Sequence, residues 1–281
     1  MAESKSYRVV RATVLLILVL FTLYPMWTLV TISISTPSEA GSVFRLIPKV
    51  INFHSYVGMW KTAPLLRYLI NSLIVSGVSA LASVPIAILT AYALTHYRLF
   101  GGKAFLRVVL STQAFPGVFF LLPLFVLYVI IQNALGITLD GSYLGVILTY
   151  LTFALPFSIW MLTGYVESIP RDVEEAAVVD GARGFQAFII TTLRIALPGV
   201  TAVGVFSFMT GWGEVLFASV LTNSATRTLP IGLQLYENAQ AGVIYWNQLM
   251  AASLTVSLPV VVGFLLLQRY FVRGLGAGAI K

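Results

Sequence analysis

Cysteine is absent from the 281 residues, and only two histidines occur, His54 and His96. Disulfides, thiol nucleophiles and cysteine metal sites are excluded together, and two isolated imidazoles do not make a metal cluster. Charge is almost as scarce, at 10% of residues, and acids are the scarcer sign, with ten Asp and Glu against seventeen Lys and Arg. What fills the chain instead is apolar: 58% hydrophobic residues, well above the 45–50% or so of soluble domains. The solvent of this protein is mostly lipid.

Charge-free runs cover 12–38, 68–97, 108–139, 141–166 and 238–268, and a further run from 195 to 226 is interrupted only by Glu214. Each is long enough for a helix of about 20 residues across a hydrocarbon core of roughly 30 Å. The runs are continuous, whereas a membrane β-barrel would give alternating segments of about ten residues. The expected fold is therefore all-α: a polytopic bundle of six transmembrane helices, spanning about 12–34, 70–95, 108–131, 144–166, 197–221 and 248–270. The expected organisation is a single transmembrane domain over 1–281, with no appended soluble domain. The first run follows Lys5, Arg8 and Arg11 but is too long for a signal core and lacks a clear cleavage site, so it reads as a retained helix.

The net charge of +7 would suit nucleic acid, but the positions of the basic residues give a better account. One side of the membrane collects Lys5, Arg8, Arg11, Arg98, Lys103, Arg107, Arg171, Arg183, Arg194, Arg269, Arg273 and Lys281. The other holds Arg45, Lys49, Lys61, Arg67 and Arg227. Twelve against five places both termini in the cytoplasm by the positive-inside rule, and no nucleic acid is needed. Prolines at 25, 85, 116, 123, 156, 198 and 259 punctuate the runs, and membrane helices tolerate such breaks where neighbours or water satisfy the freed backbone.

Against this background the stretch "DVEEAAVVDGARGF" stands out. Asp172, Glu174, Glu175 and Asp180 fall within nine positions on a loop, about 168–194, that the charge count puts in the cytoplasm. It has the layout of a short helix. Ser168 is the expected cap, Pro170 suits the first turn, the acids favour the N-terminal end of the helix dipole, and Gly181 ends it. Val173, Ala176 and Ala177 form a small apolar stripe at helical spacing. The plain reading of such a segment is a solvated surface helix.

Glu175-Ala176-Ala177 followed after three residues by Gly181 resembles the EAA signature of permease subunits in binding-protein-dependent ABC importers. "YLINSLIVS", "LTAYALTHYRLFGGK" and "TQAFPGVFFLLPLF" resemble the second and third spans of its carbohydrate-importing branch. "ALGITLDGSYLGVILTYLTFALPFSIWMLTGYVESIPRDVEEAAVVDGA", "FSFMTGWGEVLFASVLT" and "RYFVRGLGAGAIK" extend the likeness to most of the chain. Within that branch the chain is most similar to the MalG-type subunit of the maltose and oligosaccharide importers. Two positions depart from the pattern: Leu193-Arg194 stands where a Leu-Pro pair is usual, with Leu197-Pro198 later, and Gly213 stands where the fifth span commonly has asparagine.

The resemblance implies a permease of the prokaryotic inner membrane that moves a carbohydrate, maltose or a related oligosaccharide, by alternating access. It implies a second homologous permease, two copies of a cytoplasmic ATPase subunit that bind the ATP, and an extracytoplasmic sugar-binding protein. No cofactor and no enzymatic activity of the chain's own are expected. The acidic helix would be the coupling helix, with Glu175, Ala176, Ala177, Asp180 and Gly181 at the ATPase contact. Glu175 would pair with a basic residue there, and the small residues would permit close approach. The outer loop from about 223 to 247 would reach the binding protein.

Candidates for the substrate path are Glu214, Trp212 and Gln113. Glu214 is the one acid well inside an apolar run, roughly 24–29 Å from the cytoplasmic start of its span, where it either fixes a neighbouring helix or meets a sugar hydroxyl. For Trp212, interfacial or packing roles compete with sugar stacking. Gln113, like Asn71, could equally bond across helices. An alternative function is a secondary transporter of small polar solutes, although such proteins place coupling carboxylates near the midplane and Glu214 is alone and off-centre.

Overall fold

The computed structural model describes residues 5–41, 45–97, 99–236 and 245–278, with side chains described for residues 7–41, 45–97, 99–236 and 245–266. Arg98, Lys281 and the middle of the outer loop, residues 237–244, lie outside the described residues. The helices are α1 (Lys5–Ser33), α2 (Pro37–Ala40), α3 (His54–Thr62), α4 (Leu65–His96), α5 (Gly102–Ser111), α6 (Val118–Leu135), α7 (Tyr143–Glu167), α8 (Asp172–Val179), α9 (Gly184–Ile190), α10 (Thr192–Trp212), α11 (Leu216–Leu221), α12 (Leu229–Gln234) and α13 (Trp246–Gly278). No strand occurs among the described residues, so the chain is all-α. Among the described residues, six helices are long and apolar enough to cross a membrane: Tyr7–Ser33, Leu65–His96, Val118–Leu135, Tyr143–Glu167, Thr192–Trp212 and Trp246–Leu266.

By contact the chain forms two compact units, Met1–Leu66 with Gly232–Val260 and Arg67–Ile231 with Val261–Lys281. In the first unit, Tyr236 donates to the Met59 carbonyl and the Ser33 hydroxyl lies 2.9 Å from that of Tyr56. Thr62 Oγ1 donates to Gln248 Oε1 at 2.6 Å.

The second unit contains the candidate sites, and its packing rests on a row of small side chains. Ser72, Ser76, Ser79 and Ser83 follow one another along α4 at spacings of four and three, and all are buried. Ser72 Oγ accepts from the Leu229 amide at 2.8 Å, and the Ser83, Ser158 and Ser207 hydroxyls join α4 to α7 and α10. Hydrocarbon gives helices no hydrophobic reason to associate, so small residues that let backbones approach and hydroxyls that bond across them take its place. Asn71 takes the helix-bonding role: its amide donates to the Ala225 and Arg227 carbonyls and its oxygen accepts from Tyr143.

Two apolar runs are interrupted. The third expected span, 108–131, is divided between α5 and α6 by a 3₁₀ turn at Thr112–Ala114 and extended backbone at Phe115. The cause is Pro116, which disfavours the helical conformation for the residue before it. The fifth, 197–221, is divided between α10 and α11 at Gly213–Val215. Elsewhere prolines 25, 85, 123, 156, 198 and 259 are accommodated inside helices.

The start of α7 is tightly specified. Ser142 caps it by accepting from the Gly145 amide at 3.1 Å. A Cβ on Gly145 would lie 2.1 Å from the Leu139 carbonyl oxygen, which is backbone and cannot rotate away. Gly145→Ala is therefore expected to destabilise the protein by about 1–3 kcal/mol, the usual range for overpacking a core. Thermal unfolding in detergent should show a clear fall in midpoint, and an unchanged midpoint would mean this turn yields.

Candidate functional site

The acidic segment folds as the helix α8, although its beginning differs from the sequence expectation. Ser168 does not cap it: that residue closes α7, and its hydroxyl donates to the Tyr165 carbonyl. The N-cap position is Arg171, whose carbonyl accepts from the Glu174 and Glu175 amides at 2.9 and 3.0 Å. Pro170, which has no amide hydrogen to lose, stands immediately before it, and Asp172, Glu174 and Glu175 occupy the first turn.

The end of α8 is a two-bond cap. Gly181 donates to the Val178 carbonyl and Ala182 to the Ala177 carbonyl, with Gly181 at φ +95°. These are the paired bonds of the Schellman motif, which needs a left-handed residue where a side chain would be strained. A Cβ at Gly181 would meet nothing within 4 Å. The glycine is thus required by backbone conformation rather than by a lack of space within this chain.

The faces of α8 divide the residues that the sequence grouped together. Glu175, Ala176 and Asp180 are exposed, whereas Ala177 is buried within the chain. Glu175 makes no ion pair or hydrogen bond through its side chain among the described residues. Val178, Val179 and, on α9, Phe185 add exposed apolar surface beside it. α8 therefore presents an acid and several apolar side chains outward from a helix with both ends fixed.

Glu174 does the opposite. Its carboxylate is largely enclosed, with Oε1 accepting from the Tyr92 hydroxyl and lying 3.6 Å from His96 Nδ1, while Oε2 accepts from Thr192 Oγ1 at 3.0 Å. Arg171 donates to the Thr95 carbonyl at 2.6 Å. These groups line part of a cavity of about 750 Å³ whose other walls include Lys103, Arg107 and Glu167. The sequence offered Glu174 as one of several acids; only its position one residue from Glu175, about 100° around the helix, hinted at a separate role.

The substrate-path candidates lie at the two helix breaks, Gln113 in the turn before α6 and Trp212 and Glu214 where α10 ends. Gln113 Nε2 donates to the Phe153 carbonyl at 3.0 Å, and the Phe153 ring lies 4.6 Å from that of Phe217. The Phe217 and Ala218 amides donate to the two carboxylate oxygens of Glu214, at 2.8 and 2.9 Å. Glu214 thus caps α11, and its carboxylate also faces the Tyr150 hydroxyl. Gln113 and Glu214 stand at either end of one run of contacts through Phe153 and Phe217. Trp212 is outside that run and stacks on Phe208, with ring centroids 5.4 Å apart.

The family described as "Binding-protein-dependent transport system inner membrane component" matches residues 83–276, more than half of the chain and including both candidate regions. The chain belongs to this family. It is 34% identical, over 95% of its length and 94% of the relative's, to the inner membrane ABC transporter permease protein YcjP of Escherichia coli K12. It is 32% identical, over 95% of its length and 93% of the relative's, to the maltose/maltodextrin transport system permease protein MalG of the same strain. Its fold matches a chain of a bacterial ABC transporter involved in the import of the acidic polysaccharide alginate. The TM-score is 0.77 at 23% identity, covering 96% of this chain and 99% of that one.

This permease is therefore a multi-pass inner-membrane protein and not an enzyme. Membership in a binding-protein-dependent system also displaces the secondary-transporter alternative. The MalG-type resemblance holds, since that protein is among the relatives matched along nearly the whole chain.

Removing one oxygen from the Glu214 cap should be visible as stability. In Glu214→Gln the amide nitrogen must face a backbone N–H, a loss of about 1–3 kcal/mol for a buried group left without its partner. The permease is expected to melt lower and to assemble less well, with uptake falling in parallel. Uptake lost at unchanged melting and assembly would instead mark direct contact with the transported molecule.

Proposed function

We propose that this permease is the membrane subunit of an ATP-driven carbohydrate importer that works by alternating access. Its partners are a second homologous permease, two copies of a cytoplasmic ATPase subunit and an extracytoplasmic sugar-binding protein. The observation that carries the reading is the outward face of α8, where Glu175 is exposed and its side chain has no partner among the described residues, on a helix closed at its C-terminal end by Gly181. A chain of this family has no ATP chemistry of its own and must receive work through such a surface. An acid framed by Ala176, Val178 and Val179 suits a basic, partly apolar notch on the ATPase. Asp180 and Gly181 complete that contact, while Ala177 serves it from within by packing α8 in place.

The transported molecule is a carbohydrate, with maltose or a related oligosaccharide favoured by the likeness to MalG. Its path on this chain runs past the two breaks. Gln113, Phe115, Gly213 and Val215 are exposed on this chain and fall within the apolar runs expected to span the membrane at 108–131 and 197–221, where irregular backbone facing lipid is not tolerated. Such backbone belongs against another protein or a water-filled passage, and both are supplied where two permeases meet around a solute. Gln113 and Glu214 bring polar groups there, and Trp212 stands at the margin. The two compact units are read as one transmembrane domain, 1–281, since α4 and α13 contribute residues to both.

The twelve-to-five distribution of basic residues orients the chain with both termini and α8 in the cytoplasm. Reporter fusions after residues 101, 171 and 275 should register cytoplasm, and fusions near 50, 138 and 235 the outside; the reverse pattern would overturn the orientation.

Glu175→Lys tests the coupling surface. Losing one partner of a buried charge pair costs about 2–5 kcal/mol, so docking should weaken by at least about tenfold. The variant is expected to insert normally but to lose its ATPase on co-purification, or to lose carbohydrate-stimulated hydrolysis across a panel of sugars. Normal retention with normal stimulation would remove Glu175 from the interface.

A further inference from the structure

We propose that Glu174 is a positioning residue that passes the displacement of α8 to α4 and α10. The inference rests on the reading of α8 as the ATPase-docking helix and adds how a push on that helix reaches the spans.

The geometry divides the work between two adjacent acids. Successive residues of a helix point about 100° apart, so Glu175 faces out while Glu174 faces in. The Glu174 carboxylate uses one oxygen for Tyr92 on α4 and the other for Thr192 at the first residue of α10. It cannot follow one helix without pulling on the other. The charge strengthens both bonds, since hydrogen bonds to an ionised carboxylate are roughly twice as strong as neutral ones. Arg171, at the other side of the first turn, holds the Thr95 carbonyl at 2.6 Å and stops α8 from rolling about the Glu174 contact.

The receiving surface is built to move as a unit. The Tyr92 ring stacks on His96 at 4.7 Å and packs on Phe188 of α9 at 4.3 Å. Tyr92 and Phe188 belong to a buried cluster with Ala87, Ala91, Leu162 and Ala196, drawn from α4, α7, α9 and α10. Among the described residues α8 packs closely on α9, while the cavity of about 750 Å³ lies along its approach to α4 and α5. On that side the side-chain bonds of Glu174 and Arg171 connect α8 to α4.

The test uses the complete transporter in vesicles, reading hydrolysis and import together. Glu174→Ala is expected to retain the ATPase subunits, because Glu175 is untouched, and to hydrolyse ATP while importing at least about tenfold less maltose per ATP. That factor corresponds to ~1.4 kcal/mol, near the lower end for hydrogen bonds to a charged group. Glu174→Gln, which keeps the shape and one acceptor, should recover part of the ratio. The pair Tyr92→Phe with Thr192→Val should reproduce the loss with the acid in place, and it serves if Glu174→Ala does not fold.

A second readout needs no sugar. The chain has no cysteine, so in a complex whose partner subunits are also freed of cysteine, spin labels at Val173→Cys on α8, outside the ATPase-facing residues named above, and Leu81→Cys on α4, both exposed, report their separation alone. With the clamp intact, addition of MgATP should leave that distance unchanged; in Glu174→Ala it should shift or broaden. An unchanged import ratio together with an unchanged distance in the variant overturns the proposal, and so does loss of the ATPase on co-purification. Failure of every carbohydrate to stimulate the wild-type complex would instead count against the substrate reading, and the distance measurement would still decide Glu174.

Discussion

A peptide N–H or C=O left without a partner in hydrocarbon costs several kcal/mol, and the architecture of this chain follows from avoiding that cost. Six apolar stretches become helices because a helix satisfies its own backbone. In the row of serines on α4, Ser72, Ser79 and Ser83 follow the same rule by bonding to neighbouring elements, while Ser76 is buried without a partner among the described residues and contributes only its small size. Ser83 meets Ser158 and Ser207, and Ser72 receives an amide from the start of α12.

The helix breaks show the rule at its limit. At the end of α10 the ladder stops at Trp212, and the next short helix would begin with orphan amides. Glu214 takes two of them, one on each oxygen. An acid inside an apolar run thus has a structural reason to be there that is independent of any solute. At the other break Gln113 reaches across to the Phe153 carbonyl. Glu214 offsets interrupted backbone while Gln113 links its break to α7, and both breaks are exposed on this chain, which ties their structural role to the passage proposed between two permeases.

The sequence made the spans legible because a continuous apolar run of 20 or more residues has few other solutions. It made the family legible through motifs spread along the chain. It was poorer at boundaries within a run: the break at Pro116 and that at Gly213 look alike in hydropathy to the uninterrupted passage through Pro156 or Pro198. Whether a proline bends or ends a helix depends on which neighbour takes the freed groups, and that is a tertiary fact. Ser168 illustrates the same limit. Its residue type and spacing favour a cap for the following helix, but the turn after α7 closes first and claims its hydroxyl.

The acidic segment shows most clearly what pattern alone leaves out. Asp172, Glu174, Glu175 and Asp180 are four similar residues on one short helix, and composition assigns them one collective charge. The fold assigns them directions. Three are exposed and one is enclosed by donors from two spans, so the charge proposed to meet a partner and the charge that holds the helix to its own protein are separate groups. A surface helix held only by packing on α9 could tilt under load and dissipate a push. A helix whose inner acid is bonded to both α4 and α10 would carry that push to the ends of the spans, as the coupling proposed for this subunit requires.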